Sequence, residues 1–238
     1  AGPRSGRSAP KALIAPHAGY VYSGPVAASV YAMLAPARRT VTRVILLGPT
    51  HRVAVRGLAL PGCTAFATPL GAVEIDAAAV ETLRTLPQVT VSAEAHALEH
   101  SLEVHVPFLQ TVLEHFTLVP LAVGHATAQE VAEVLDAIWG GPETLLVVSS
   151  DLSHYLSYSD AQAVDRATAK AILGLAPDIS HEQACGATPV AGLTRVARQR
   201  GLKPELIDLR NSGDTAGDRN RVVGYGSFAF YEVAQDGR

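Results

Sequence analysis

Four short, almost uninterrupted apolar runs constrain the fold of this chain more than any other feature. They cover residues 12–16, 44–48, 118–123 and 145–149. Strands of a parallel sheet have this composition when helices bury both faces. Longer amphipathic stretches separate the runs, which is typical of an α/β domain. The sequence therefore predicts a central mixed, largely parallel sheet flanked by helices on both faces, with a late strand over residues 222–233.

Proline and capping pairs mark the predicted helix starts. Pro25 suits the first position of a helix. Pro189 opens a further helix, which Gly201 would end. A helix over residues 99–115 would be kinked or divided by Pro107. A capping box consists of a hydroxyl residue followed three positions later by Glu or Gln. The sequence has this spacing at Thr127 with Glu130, Ser159 with Gln162, and Ser180 with Gln183.

Composition limits the size and setting of the protein. With 238 residues, 48% of them hydrophobic, the chain can form one core, so we predict a flexible tail over residues 1–11 and a single domain over 12–238. A net charge of -3 argues against nucleic-acid binding. No apolar stretch approaches the ~20 residues of a membrane span. The chain has only two cysteines, Cys63 and Cys185, which favours a location in the reducing cytoplasm. A disulfide between these two cysteines remains an alternative.

Polar residues follow three of the predicted strands. His17 follows the first run, His51 the second, and Asp151 and His154 the fourth. Ligand sites in open α/β sheets lie beyond the carboxyl ends of the strands. One loop histidine is usually only a solvated side chain, but three at equivalent places favour a common site.

A metal ion would explain this grouping. Neutral imidazole is the commonest protein ligand for iron, copper and zinc. Cys185 could add an anionic thiolate, because it precedes the helix marked by Pro189 and a helix N-terminus lowers the pKa of a thiol. A small buried hydrophobe is an equally open interpretation of Cys185. Cys63, in a turn, is interpreted as structural.

His154 follows Asp151 by three residues, so the carboxylate could orient the imidazole and raise its basicity. Beside a metal-bound substrate, such a base could take up a hydroxyl proton. The alternative is that Asp151 caps the next segment and His154 lies on the surface.

Two other patterns receive less weight. His96, Glu99 and His100 fit the H-x-x-E-H pattern of some zinc peptidases, but a pattern with three fixed positions matches often by chance. The two glycines around Tyr225 fall within a predicted strand, so they do not form a dinucleotide-binding turn.

Several short motifs, read together and in order from about residue 12 to 231, resemble the MEMO family. The motifs are APHAGY from Ala15 to Tyr20, GPTH ending at His51, EHSLE over residues 99–103, SSDLSH ending at His154, and ACG around Cys185.

The resemblance implies a fold similar to the class III extradiol (LigB-type) non-haem iron dioxygenases. It implies that His17, His51 and Cys185 bind a metal, with cysteine where the dioxygenases have glutamate. It places His154 at the position of the dioxygenase base, with Asp151 in the same motif. It also implies that a further set lines the cleft or supports the ligands, namely Glu99, His100, Glu103 and Tyr20.

We therefore expect one transition metal ion, with iron or copper favoured and zinc also compatible, because a thiolate is softer than a carboxylate. Two functions stay open: a metal-dependent oxidoreductase of dioxygenase-like type on an unknown small substrate, and a non-catalytic metal-binding or peptide-binding module. The resemblance also implies partners. Animal members are described as binding phosphotyrosine peptides, and prokaryotic members accompany an AMMECR1-like protein and a radical-SAM protein.

Overall fold

The computed structural model of the chain describes residues 8–233. Residues 1–7 of the predicted tail lie outside this range, and the boundary at residue 12 stays a prediction. Lys11, at the end of that segment, is buried and donates hydrogen bonds to the carbonyls of Trp139, Gly141 and Thr144. No helix in residues 8–233 is long and apolar enough to cross a membrane.

The described residues form an α/β fold with eleven strands and seven α-helices. The strands are β1 (Ala12–Ala15), β2 (Arg43–Pro49), β3 (Leu58–Leu60), β4 (Ala65–Thr68), β5 (Gly71–Glu74), β6 (Val89–Val91), β7 (Thr117–Val123), β8 (Thr144–Ser149), β9 (His154–Leu156), β10 (Lys203–Asn211) and β11 (Val222–Tyr231). The helices are α1 (Tyr20–Tyr31), α2 (Ala77–Leu83), α3 (Ala93–Ala97), α4 (Val106–Val112), α5 (Ala128–Ala137), α6 (Tyr158–Leu173) and α7 (Ala187–Gln199).

The main sheet is mixed, with a parallel centre. Its strand order is β10-β11-β1-β8-β2-β7-β3-β6, and β9 pairs with β11. The four central strands β1, β8, β2 and β7 run parallel to one another. β11 is antiparallel to β1, and β3 is antiparallel to β7. The parallel strands are the predicted apolar runs, and their carboxyl ends meet at one edge.

Helices cover both faces of this sheet, as predicted. Alternate residues of β1 lie in two separate cores: Ile14 packs with α5 and α7 on one face, and Leu13 packs with α1 and α4 on the other. This two-sided burial explains why the central strands are nearly continuous apolar runs.

The prediction that Pro25 opens a helix is wrong. α1 begins at Tyr20, and Pro25 lies inside it. The amide that proline lacks would have bonded to the carbonyl of Val21, so the helix forgoes one backbone hydrogen bond there. The capping box of Thr127 and Glu130 at α5 is confirmed. α7 begins at Ala187, two residues before Pro189, and ends near Gly201, which has a φ of 69°.

The helix predicted over residues 99–115, kinked or divided at Pro107, forms only in part, because residues 99–102 are irregular and α4 ends at Val112. α3 ends at Ala97, a short 3₁₀ helix covers Glu103–His105, and α4 follows, with Pro107 in its first turn. The segment between them is irregular because the Glu99 carboxylate accepts the Ser101 N–H, which competes with helical hydrogen bonding.

Two capping pairs do not begin helices where the sequence predicts them. α6 begins at Tyr158, capped by Ser157 rather than Ser159. Ser180 donates its N–H to the Gln183 side chain, but these residues form a turn and no helix starts before Ala187. The extra turn leads the chain to Cys185.

Candidate metal centre

Three equivalent strand ends build the candidate site. β8 lies between β1 and β2 in the sheet. His17 stands two residues beyond β1, His51 two residues beyond β2, and Asp151 two residues beyond β8. The turn before α7 brings Cys185 to the same place. The ligand atoms of His17, His51 and Cys185 all lie within 4.8 Å of one another, so the structure brings the three predicted ligands together.

The His17 ring is fixed from several sides. It is 2% exposed, its Nδ1 lies 2.6 Å from Ser149 Oγ, and its backbone N–H donates to Asp151 Oδ1 at 2.8 Å. Burial, followed by the nearby His51, lowers the pKa of His17 to about 3. The imidazole is therefore neutral near pH 7 and keeps one lone pair, which is the form that binds metals.

Glu99 holds His51. Its carboxylate accepts the His51 backbone N–H at 2.5 Å and lies 2.9 Å from His51 Nδ1. It also accepts the Ser101 N–H at 2.9 Å. Burial acts to raise the pKa of Glu99, but the hydrogen bonds from His51 and Ser101 outweigh it and lower the pKa to about 2. A carboxylate on Nδ1 orients the ring and makes it a more basic ligand.

Cys185 supplies the sulfur. Its Sγ lies 3.4 Å from His17 Nε2 and accepts the Asp151 N–H at 3.3 Å. Burial, and then the charge of Asp151, raise the pKa of the Cys185 thiol to about 12. The expected lowering by the helix N-terminus is therefore outweighed. A bound cation would reverse this balance, because coordination removes the thiol proton. Both cysteines are free, and Cys63 is exposed.

Asp151 is buried, whereas His154 is on the wall of a cavity. Burial, opposed by the hydrogen bond from the His17 amide, raises the pKa of Asp151 to about 6. His154 lies in β9 and lines a cavity of about 760 Å³ together with His51 and Cys185. Within residues 8–233 no hydrogen bond joins Asp151 to His154, so the carboxylate orients His17 rather than the predicted base.

The other predicted cleft residues lie at different distances from the centre. The His100 ring is stacked on His51 with ring centroids 5.0 Å apart, and it lies 5.6 Å from the His17 ring. Tyr20 is exposed and donates its hydroxyl to the Val104 carbonyl. Glu103 lines a separate cavity of about 300 Å³.

Neither of the two patterns given less weight has the local structure that its motif requires. α3 ends at Ala97, so His96 and His100 do not share a helix face. His96 Nε2 lies 2.8 Å from the Ala59 carbonyl, and Glu99 is bonded to His51. The glycines around Tyr225 lie inside β11, as predicted.

Glu99, which holds His51, was predicted from the sequence, but the residues behind His17 were missed. Ser149, Ser101, His105 and Tyr31 form a buried polar network behind His17. Tyr225 is buried beside Asp151, and burial, followed by that charge, raises the pKa of its hydroxyl above the ordinary value. The one available signal was the polar residue Ser149 at the end of an apolar run.

The fold and this site together define an α/β protein with two imidazoles and a thiol gathered at the carboxyl edge of its sheet. The family model described as Memo-like protein matches residues 1–229. A MEMO1 family protein from Methanothermobacter thermautotrophicus is 40% identical over 90% of this chain and 82% of its own length. Those from Archaeoglobus fulgidus and Aquifex aeolicus are 36% and 34% identical, over 92% and 91% of this chain and 86% and 84% of their own lengths. The chain belongs to the MEMO family.

A solved structure supports the fold. An uncharacterized protein from Escherichia coli K12 matches with a TM-score of 0.51, covering 90% of this chain and 98% of its own. At 14% identity, the likeness concerns the fold alone.

Proposed function

We propose that this protein binds one transition metal ion through His17 Nε2, His51 Nε2 and the Cys185 thiolate, and acts as a metal-dependent oxidoreductase on a small substrate. The observation that carries the proposal is the convergence of three ligand atoms within 4.8 Å beside a cavity of about 760 Å³. This volume suits a small organic molecule.

The donor set fits such an ion. Each imidazole has its Nδ1 engaged, by Ser149 or by Glu99, which leaves Nε2 for a metal. Three protein ligands leave further coordination positions for substrate or dioxygen, as in the two-His, one-carboxylate iron sites. The thiolate is softer than a carboxylate and strengthens the case for copper, so iron and copper are both proposed and zinc also fits.

The chain's own residues would supply binding and proton transfer. A metal held by these three ligands would supply electron transfer and Lewis-acid polarisation of a substrate. His154 faces the same cavity as His51 and Cys185, so its imidazole is placed to accept a hydroxyl proton from a bound substrate. Asp151, with a pKa of about 6, holds the His17 backbone and places negative charge near the ion.

Metal analysis and oxygen uptake test this function. Protein purified without oxygen should hold about one iron or copper ion per chain, and His17→Ala should lose it, whereas His115→Ala, a change at an exposed histidine, should retain it. Iron-loaded or copper-loaded protein should consume oxygen with some member of a catechol panel, and His154→Gln should slow turnover without releasing the metal. Absence of metal binding, or inactivity with both metals across the panel, would contradict the proposal.

An exposed aromatic rim favours a second candidate function, peptide or partner binding. Tyr20, Val21 and Tyr22 begin α1 just after His17 and are 51%, 64% and 41% exposed, and Tyr155 on the cavity wall is 62% exposed. Large exposed apolar side chains are typical of interaction sites. Fluorescence anisotropy with labelled tyrosine and phosphotyrosine peptides tests this function. Binding that survives in Cys185→Ala and is lost in Tyr22→Ser would favour it, and no binding by either peptide would exclude it.

A further inference from the structure

One short segment supports both candidate histidine ligands. The Glu99 carboxylate binds His51, and the Ser101 N–H binds that carboxylate. The Ser101 carbonyl lies 2.5 Å from Ser149 Oγ, and Ser149 in turn contacts His17. Ser101 also donates its hydroxyl to the Pro49 carbonyl at the end of β2. The segment therefore links the two histidines through Ser101.

The proton on Ser149 can be assigned from distances. A carbonyl oxygen only accepts hydrogen bonds, and two oxygens 2.5 Å apart require a hydrogen between them. The single hydroxyl hydrogen of Ser149 is therefore given to the Ser101 carbonyl. His17 Nδ1 at 2.6 Å and His105 Nε2 at 2.8 Å must then both donate to Ser149 Oγ.

His105 agrees with this assignment. It is completely buried, and burial, followed by the nearby His17, lowers its pKa to about 3. The neutral ring carries one hydrogen, at Nε2, so Nδ1 is an acceptor. The Tyr31 hydroxyl, 2.8 Å from that Nδ1, supplies the matching donor. Tyr31 is fixed in turn by stacking on Phe108, with the rings 6° from parallel.

The same assignment applies to His51 for a different reason. Each Glu99 carboxylate oxygen already accepts a backbone N–H, from His51 or from Ser101, so the carboxylate acts as an acceptor and His51 Nδ1, 2.9 Å from it, must carry a hydrogen. Both rings are thus held as the Nδ1–H tautomer, and neither Nε2 carries a hydrogen. The Cys185 thiol lies 3.4 Å from the Nε2 of His17 and can donate its S–H there.

We propose that Ser149 and Glu99, both tied to Ser101, are positioning residues that fix His17 and His51 as Nδ1–H tautomers before any metal arrives. His105 and Tyr31 complete the set by satisfying the second lone pair of Ser149. This inference rests on the proposed metal-binding function for its purpose, but the tautomers are properties of the metal-free chain.

Nitrogen-15 NMR of the metal-free wild-type protein tests the inference directly, since long-range correlations distinguish protonated from unprotonated ring nitrogens. His17→Gln and His51→Gln assign the two signals. Near pH 8, above the ordinary range of imidazole, each ring should show a protonated Nδ1 and an unprotonated Nε2. An Nε2–H tautomer at either ring, or an averaged mixture, would overturn the proposal. This measurement needs no variant to keep its site intact.

Ser149→Ala tests the consequence, with Ser227→Ala as the control because Ser227 is equally buried and bonded to another serine, Ser29. Ser149→Ala should give a tautomer mixture at His17 and bind zinc about 10–100-fold more weakly, whereas Ser227→Ala should match wild type. An unchanged tautomer and zinc affinity in Ser149→Ala would refute the role of Ser149. If wild type binds no metal, the proposed function fails, and the tautomer spectra still decide this inference.

Discussion

Binding of a divalent metal should release one proton from Cys185, and this is the sharpest quantitative consequence of the site. In the metal-free protein the pKa of this thiol is about 12, so near pH 8 only about one chain in 10⁴ carries the thiolate. Binding must displace the proton, and the apparent affinity should therefore rise about tenfold per pH unit. The rise follows from mass action and continues until the thiol ionises by itself.

Zinc is the best probe because it has no redox chemistry. Titration calorimetry near pH 8, above the ordinary range of imidazole, in buffers with different ionisation enthalpies gives the number of protons released. Wild type and Cys63→Ser should each release about one proton, because Cys63 is exposed and outside the site. Cys185→Ser should release nearly none and bind more weakly. Release close to zero in wild type, or equal release in Cys185→Ser, would show that the sulfur is not a ligand.

Three further outcomes concern stability and are measured by urea denaturation of the metal-free protein. Glu99→Gln should lower the free energy of unfolding by about 3 kcal/mol at neutral pH. Folding lowers the pKa of Glu99 from 4.5 to about 2. Its contribution to the free energy of unfolding is therefore fully present above pH 4.5 and disappears as the pH falls towards 2. An equal loss of stability in Glu99→Gln at pH 7 and at pH 3 would contradict the assignment. Gly186→Ala should lower the free energy of unfolding by about 2 kcal/mol, because the new Cβ would lie 2.6 Å from the Ser149 carbonyl oxygen. In the control Gly174→Ala the new Cβ would lie 3.4 Å from its nearest neighbour, and the loss should be under about 0.5 kcal/mol. Equal losses in the two variants would refute the clash. Leu175 has a φ of 52°, which glycine adopts without strain, but its side chain packs against the core. Because relief of the strain offsets part of the lost packing, Leu175→Gly should lower the free energy of unfolding by less than about 1 kcal/mol. A larger loss would mean that packing outweighs strain.

The central strands and their ligands could be predicted because burial on both faces leaves a pattern within each short run. His17 and His51 follow such runs at the same offset, and the fold needs no other information to bring strand ends together. The position of Cys185 could be predicted less well, because the sequence predicted a helix start at the turn that places this residue. A capping pair shows that a turn can form but not how far a helix then extends.

The supporting network could not be predicted, because its partners are distant in sequence. Tyr31 and His105 are 74 residues apart, and His17 and Ser149 are 132 apart. A serine that ends an apolar run normally indicates only where a strand stops. The irregular segment after α3 is also set by a distant contact, since His51 engages Glu99. Hydrogen bonds between distant residues here override local helix propensity.

The position of β8 between β1 and β2 determines the distance between the His17 and His51 rings. β1 and β2 are two strand spacings apart, roughly 10 Å. The imidazole centroids of His17 and His51 are only 5.3 Å apart, so the two rings converge beyond the end of β8. The sheet therefore sets the spacing of the two imidazoles, whereas the turn before α7 places the Cys185 sulfur. Deleting Pro16, the one residue between β1 and His17, would shift that ring along the chain and misplace it relative to His51, whereas insertions in loops remote from these strand ends would leave the spacing of the two imidazoles intact.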